Sequence, residues 1–341
     1  MEPWQAIVLG LVEGITEYLP VSSTGHLILA SGLMGLDDQP EQARAVNAFN
    51  IVIQGGAILA VLGLYRGRVW QMLKGLVGQD AAGLRLAVNV LVAFLPAVAL
   101  GLALDAWIEA HLFNAPVVLG ALALGGLYMI ALDKALVAPR RREQRGLGLD
   151  ELRPGQALVV GLMQCVAMVP GTSRSMMTIT GGVIVGLRPK DAAEFSFLLG
   201  LPTLGGACAY TLMKDLSGPG QGMFEQLGTA SIVLGLAAST ASAALAVRWL
   251  VGFLNRHGLA PFGYYRLVLC AALLAAMLAG LVRLGPGEAS DPVSRPPEGA
   301  QHHQAQDPAE EDDVHPDGHA DGAQQQADQG VAVRPGQQGQ Q

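Results

Sequence analysis

Long apolar segments recur along the chain and are separated by shorter polar loops. Each segment is close to the ~20 residues that a helix needs to cross the hydrocarbon core of a bilayer. Continuous apolar runs of this length with few charges are typical of transmembrane helices. The pattern therefore predicts six transmembrane helices, at about 47–65, 86–105, 115–133, 192–213, 229–250 and 265–284.

Two further apolar stretches, 5–36 and 155–187, are interrupted by polar residues. The first contains Pro-Val-Ser-Ser and the second Pro-Gly-Thr-Ser. Pro20 and Pro170 end the preceding helices, because the residue before a proline is disfavoured in the helical conformation. The half before each break has about 15 residues, which is too short to span a bilayer. These breaks predict two re-entrant helical hairpins.

The two interrupted stretches resemble each other. AIVLGLVEGITEYLPVSST, from Ala6 to Thr24, aligns with ALVVGLMQCVAMVPGTSR, from residue 157 to residue 174, with one gap. Repeat halves of about 1–133 and 155–284 follow from this alignment. Because three predicted spans separate the two stretches, they must enter from opposite faces. The predicted fold is an all-α integral membrane protein with six transmembrane helices, two re-entrant hairpins and an inverted-topology repeat.

Composition supports the membrane class and sets the C-terminal segment apart. With 51% hydrophobic and only 14% charged residues, the chain is too apolar for an ordinary soluble enzyme. The net charge is −7, but residues 286–341 hold eleven acidic and two basic residues, so the remainder carries +2. Such a charged, Gln- and Pro-rich segment cannot bury enough apolar surface to fold. We predict a membrane domain over 1–284 and a disordered acidic tail over 285–341.

Loop charges predict the orientation of the chain. Alternate loops are basic, and the positive-inside rule places them in the cytoplasm, with 134–154 as a basic cytoplasmic linker. Both termini are then outside, and the interrupted stretches must each return to the face that they entered from. The basic residues assigned to these loops are Arg66, Arg68, Lys74, Arg85, Lys134, Arg140, Arg141, Arg142, Arg145, Arg153, Arg248, Arg256 and Arg266.

A pair of carboxylates precedes the first break. Glu13 and Glu17 are four residues apart and share one face of a helix. Two carboxylates that faced lipid would each cost several kcal/mol. We expect them to face a polar cavity and to bind a divalent cation, Mg²⁺ or Ca²⁺, together with substrate phosphates. The alternative is a helix end at the interface with both groups in water.

Hydroxyl groups follow the first proline. Ser22, Ser23 and Thr24 are candidates to cap the next helix, and a helix N-terminus also binds phosphate oxygens. Ser23 is a candidate nucleophile, with a water in its place as the alternative. His26 is a candidate to transfer the proton. The simpler reading of His26 is a packing residue.

The second break carries a similar set of groups. Gly171 permits a tight turn, and Thr172 and Ser173 can cap a helix or bind phosphate. The Arg174 guanidinium matches the geometry of a phosphate, and its structural partner would be Glu13 or Glu17. Thr178 lies one turn further on and is either a supporting hydroxyl or a packing residue. Together the two breaks predict one pocket for a metal-bound diphosphate.

The motifs VEGITEYLPVSSTGH and PGTSRS resemble the two signature motifs of the bacterial undecaprenyl-diphosphatases, also called bacitracin resistance proteins. The resemblance covers about residues 1–284. It implies hydrolysis of undecaprenyl diphosphate at the outer face of the inner membrane, which recycles the lipid carrier for cell-wall synthesis. It also implies that the functional positions are Glu13, Glu17, Ser23, His26 and Arg174.

A second class of function fits part of the pattern. Inverted repeats with broken helices are common in transporters, and a glutamate pair alone would suit a lipid transporter or flippase. The hydroxyls, histidine and arginine favour a phosphatase, because a transporter does not require them. The expected partners are a prenyl diphosphate lipid and the bilayer, with no nucleic acid; a homodimer is left open.

Overall fold

The computed structural model describes residues 1–36, 40–142, 146–217 and 223–282. Within these ranges the chain is helical and has no strand, although one backbone bridge joins Leu147 to Leu187. These residues belong to a compact unit that runs from Met1 to Ala289. The predicted tail at 285–341 lies outside the described residues, so its disorder stays a prediction.

The N-terminal part of the chain forms α1 (Pro3–Thr16), α2 (Ser23–Leu33), α3 (Pro40–Leu64), α4 (Arg66–Leu76), α5 (Ala81–Leu112), α6 (Ala115–Leu132), a π-helical turn (Asp133–Val137) and α7 (Ala138–Arg142). After a 3₁₀ turn (Leu149–Glu151), the C-terminal part forms α8 (Pro154–Val166), α9 (Arg174–Ile184), α10 (Pro189–Ser217), α11 (Met223–Leu227), α12 (Thr229–His257) and α13 (Ala260–Leu278).

Six helices among the described residues are long and apolar enough to cross a membrane, as the hydrophobic pattern predicts. The chain is therefore a multi-pass membrane protein, and its described part is all helical. The spans are Gln42–Leu64, Ala81–Leu104, Ala115–Arg140, Pro189–Ser217, Thr229–His257 and Ala260–Leu278.

The last span corrects one sequence assignment. α13 begins at Ala260, with a proline in its first turn, which is where proline is favoured because its missing N–H has no helical partner there. Arg266, assigned above to a basic loop, therefore lies inside α13 and is fully buried. It does not contribute to the positive charge of that loop.

Four apolar helices are too short to span. α1, α2, α8 and α9 have 14, 11, 13 and 11 residues. At a rise of about 1.5 Å per residue, even α1 extends only about 21 Å, against a hydrocarbon core of about 30 Å. α1 and α8 end shortly before Pro20 and Pro170, as the breaks predict. The polar turns that follow, at 20–22 and 170–172, are buried among the helices.

Glycines allow α1 and α8 to approach long helices of the opposite half. A Cβ at Gly10 would collide with the backbone of Gly235 in α12, and a Cβ at Gly161 would collide with the backbone of Ala93 in α5. Gly10 and Gly161 occupy matching places in the aligned stretches. Small residues at such crossings let helix backbones pack closely in lipid. The crossings thus fix where the ends of α1 and α8 lie.

Candidate active site

The two breaks meet through an ion pair between Glu17 and Arg174. Arg174 Nη2 donates to Glu17 Oε1 at 2.8 Å, and the side chains are 11% and 7% exposed. Glu17 follows α1 and Arg174 begins α9, so this contact joins residues 157 positions apart. Removing one partner of a buried pair leaves an uncompensated charge, which is strongly destabilising.

Glu17 also contacts the first residue of α2. Ser23 Oγ donates to Glu17 Oε2 at 2.7 Å. One carboxylate oxygen therefore binds a guanidinium and the other accepts a hydroxyl hydrogen. An ionised carboxylate only accepts, so the Ser23 proton lies toward Glu17 and the oxygen lone pairs remain available. A hydroxyl in contact with a base is the arrangement of an activated nucleophile.

Both half-helices start from a serine in an unusual backbone conformation. Ser22, the N-cap of α2, has φ 73°, and Ser173, the N-cap of α9, has φ 77°. Their side chains accept hydrogen bonds from the backbone N–H groups of Gly25 and Met176, at 3.4 and 3.3 Å. Positive φ is uncommon outside glycine and is often found at functional sites. The strained backbone at Ser22 and Ser173 thus places their hydroxyls at the starts of α2 and α9.

Arg174 is fixed on several sides. Its Nη1 donates to the Ser196 carbonyl at 3.1 Å, and its guanidinium carbon lies 5.2 Å from the centre of the Tyr18 ring. Gly200 makes room for it, since a Cβ there would come within 2.8 Å of Nη1. Thr178 is fully buried and its hydroxyl bonds the Arg174 carbonyl at 2.9 Å. Thr178 therefore reaches the site through Arg174.

A pocket lies between the two turns and is bordered by residues of both halves. It contains the Glu17–Arg174 pair and the N-cap serines, together with the Ser23 hydroxyl. The other predicted residues Glu13, His26, Thr172 and Thr178 are not part of its lining. The lining residues are Glu17, Ser22, Ser23, Thr24, Gln54, Ala167, Val169, Pro170, Gly171, Ser173, Arg174 and Leu204.

The turns and their pocket fall within a region that matches a known family. Residues 6–272 match the family described as bacitracin resistance protein BacA. The chain belongs to this family. The resemblance that the two motifs predict is therefore confirmed.

Curated proteins named undecaprenyl-diphosphatase align over the same region as the BacA family match. One from Cereibacter sphaeroides is 41% identical over 276 residues, which cover 81% of this chain and 97% of that protein. One from Sorangium cellulosum is 43% identical over 275 residues, or 80% of this chain and 85% of that protein. One from Acidovorax ebreus is 43% identical over 281 residues, or 82% of this chain and 96% of that protein.

In this member of the BacA family, His26 is held on both ring nitrogens. Nδ1 lies 2.8 Å from the Ser22 carbonyl oxygen, and Nε2 lies 2.7 Å from the Tyr265 hydroxyl. A carbonyl only accepts, so Nδ1 carries a hydrogen, and in the neutral imidazole Nε2 then accepts from the Tyr265 hydroxyl. The group that contacts the Ser23 hydroxyl is Glu17. Proton transfer by His26 stays a prediction.

Glu13 lies one helical turn before Glu17 and is fully buried. Neither of its carboxylate oxygens has a hydrogen-bond partner in the described part of the chain. Two orphaned carboxylate oxygens beside a second carboxylate fit a hard cation such as Mg²⁺ or Ca²⁺. Among the described residues no group of three or more His, Cys, Asp or Glu could hold a metal ion. A cation here would complete its shell with water and substrate oxygens, as Mg²⁺ commonly does.

Sequence reasoning missed several residues of the site. Gln54 lines the pocket, and its polar side chain within the apolar run FNIVIQGG was an available signal. The only sequence feature of Gly200 is that it is a glycine within a predicted span, and this does not indicate that it makes room for Arg174. Ser196 and Tyr265 had no local signal, because their roles depend on contacts with Arg174 and His26 across the fold.

Proposed function

We propose that the chain hydrolyses undecaprenyl diphosphate to undecaprenyl phosphate and inorganic phosphate. This reaction recycles the lipid carrier of cell-wall synthesis, and bacitracin resistance fits the description of the family. The name shared by the curated relatives supports the substrate. The observation that carries the chemistry is the Ser23 hydroxyl on a carboxylate that is itself paired with Arg174.

The diphosphate binds at the two helix N-termini. The first turns of α2 and α9 offer backbone N–H groups and the positive ends of two helix dipoles, which together bind phosphate oxygens. Ser22, Thr24 and Ser173 add hydroxyl donors, and Arg174 adds a charged fork. An incoming phosphate oxygen replaces part of the contact between Arg174 and Glu17.

Ser23 attacks the terminal phosphorus. A bond forms between Ser23 Oγ and that phosphorus, and the bond from the phosphorus to the bridging oxygen breaks. Glu17 takes the serine proton, and undecaprenyl phosphate leaves with the electron pair of the broken bond. Water then hydrolyses the phosphoserine and releases inorganic phosphate. The main catalytic task is to stabilise charge on the transferring group, which Arg174 and the N–H groups perform.

Glu13 and Glu17 are the residues that would hold a divalent cation. When bound, the cation supplies positive charge to the phosphate oxygens. Glu13 offers two unpartnered oxygens, and each Glu17 oxygen retains a lone pair beyond its present hydrogen bond. Water attack without a phosphoserine is the competing route in the same pocket.

The architecture is proposed to be an inverted repeat with two re-entrant hairpins, α1–α2 and α8–α9. Each hairpin has a serine N-cap at positive φ, and each first helix packs on the opposite half, α1 on α12 and α8 on α5. Loop charge supports a cytoplasmic 134–154 linker, a periplasmic pocket opening and external termini. The proposed location is the bacterial inner membrane.

Phosphate release in detergent distinguishes the enzyme from a lipid flippase. The purified wild-type protein is expected to release inorganic phosphate from undecaprenyl diphosphate in micelles, where no transport across a bilayer takes place. EDTA should abolish release, and added Mg²⁺ or Ca²⁺ should restore it. The measurement is phosphate release over time, with enzyme-free micelles as the control.

Two results would count against this account. A folded protein that releases no phosphate with either cation contradicts the phosphatase function and favours the flippase. Full activity in EDTA contradicts the cation site alone, because the serine and arginine chemistry would remain intact. Glu13→Gln separates these cases further, since it removes a proposed metal ligand and leaves the contact between Ser23 and Glu17 in place.

A further inference from the structure

Consecutive residues of α13 hold the two turns of the pocket. The Tyr265 hydroxyl donates to His26 Nε2 at 2.7 Å, and His26 Nδ1 donates to the Ser22 carbonyl at 2.8 Å. Arg266 Nη2 donates to the Gly171 carbonyl at 2.8 Å. Tyr265 thus reaches the first turn through His26, and Arg266 reaches the second turn directly.

Arg266 is a buried cation without an anionic partner among the described residues. Its side chain is fully buried, and its Nε and Nη1 have no hydrogen-bond partner within the ranges that the structure describes. Its contacts are two carbonyls, those of Gly171 and Ala121. Gly125 leaves space for the guanidinium, since a Cβ there would come within 2.6 Å of Nη2. A charge this costly at membrane depth is expected to serve a site.

The carbonyls held by these residues belong to the wall of the pocket. Ser22 and Gly171 both line it, whereas His26 and Arg266 do not. The carbonyl oxygens are therefore turned away from the space where phosphate would bind. An oxygen that turned inward would place negative partial charge against the diphosphate. Gly171, at φ 88°, has no Cβ to restrict rotation of its peptide, so the hydrogen bond from Arg266 helps to fix its carbonyl.

We propose that Tyr265 and Arg266 are positioning residues, which hold the Ser22 and Gly171 carbonyls out of the phosphate pocket from one side of α13. Arg266 also supplies positive charge behind the Gly171 turn. Neither residue touches the substrate. This inference rests on the proposed function insofar as the pocket binds a diphosphate.

Anion affinity measures this role without requiring turnover. Inorganic pyrophosphate is titrated into the purified full-length protein by calorimetry, with Mg²⁺ present. Arg266→Met should weaken pyrophosphate binding about ten- to a hundredfold, as expected for loss of a charged hydrogen bond. Tyr265→Phe should weaken it about two- to tenfold, as for a neutral hydrogen bond. Arg266→Lys keeps the positive charge and N–H donors on a single nitrogen, and its pyrophosphate affinity should lie between those of wild type and Arg266→Met.

Matched controls come from the same region of the chain. Tyr264→Phe removes the neighbouring hydroxyl, and Arg256→Met removes an exposed arginine at the end of α12; both should bind pyrophosphate as wild type does. In phosphate-release assays, Tyr265→Phe should raise KM more than it lowers kcat. A thermal melt of each variant in detergent reports folding separately.

Several outcomes would overturn the positioning role. Tyr265→Phe and Arg266→Lys could melt at a lower temperature and yet keep the pyrophosphate affinity and KM of wild type. That result would mean that Tyr265 and Arg266 only stabilise the fold. A wild-type protein that binds no pyrophosphate would also refute it. If wild type binds pyrophosphate but releases no phosphate from the lipid, the proposed function fails while the positioning role is still decided by the binding data. If Arg266→Met does not fold, the pyrophosphate affinities of Tyr265→Phe and Arg266→Lys test the positioning role instead.

Discussion

Glu17→Gln is expected to lower phosphate release from undecaprenyl diphosphate by about 10²- to 10⁴-fold, the range typical for loss of a general base. The amide keeps the shape of the side chain and still contacts Ser23, but it cannot take the serine proton. It also leaves the Arg174 guanidinium without its carboxylate partner. The rate is measured per folded molecule, because breaking a buried pair lowers stability as well.

Glu2→Gln is the matched control for that variant. Glu2 is exposed at the opposite end of α1 and does not line the pocket, so its conversion should leave the rate per folded molecule within about twofold of wild type. If Glu17→Gln keeps more than a tenth of the wild-type rate, Glu17 is not the base that activates Ser23.

Gly14→Leu is expected to destabilise the membrane domain strongly, because it disrupts the packing of α1 on α12. A Cβ at Gly14 would collide with the Ser239 carbonyl, the Ala243 backbone nitrogen and the Ser242 hydroxyl, all on α12. Because two of these are backbone atoms, a side-chain rotation cannot relieve the clash. The gain in helix propensity is about 1 kcal/mol at most, whereas overpacking costs about 1–3 kcal/mol or more. The collision therefore dominates.

Size-exclusion chromatography and a thermal melt in detergent measure this effect. Gly63→Leu, in α3, is the control, since a Cβ at Gly63 would meet no atom of the described residues within 4 Å. Gly14→Ala should fold less stably than wild type and more stably than Gly14→Leu. A Gly14→Leu protein that elutes and melts like Gly63→Leu would contradict the close packing of α1 on α12.

The transmembrane spans and the two breaks could be predicted from the sequence because each depends on neighbouring residues alone. Twenty apolar residues indicate a membrane helix, and Pro20 and Pro170 stop α1 and α8 wherever the rest of the chain lies. Boundaries were less certain: α13 starts at Ala260 rather than near 265. A start near 265 puts Arg266 at the edge of the span, and its assignment to the preceding loop concealed a buried charge.

Part of the candidate active site could be predicted from the sequence. The chemistry of Glu17 and Arg174, and the prospect that they pair, followed from the cost of charge in a membrane. The contact between Glu17 and Ser23 did not follow, because it requires a turn with positive φ at Ser22, a conformation that serine rarely adopts. The partner of His26 lies 239 residues away, so no local pattern could reveal Tyr265.

A double-variant cycle on Glu17 and Arg174 tests most directly whether the two breaks form one pocket. Phosphate release is measured for wild type, Glu17→Gln, Arg174→Gln and the double variant, each corrected for folded protein. Substitutions of residues that act as a unit do not have additive effects on the activation free energy. The rate of the double variant should therefore be within about tenfold of the rate of the less active single variant. Losses that multiply would mean that Glu17 and Arg174 act independently, and would contradict the shared pocket.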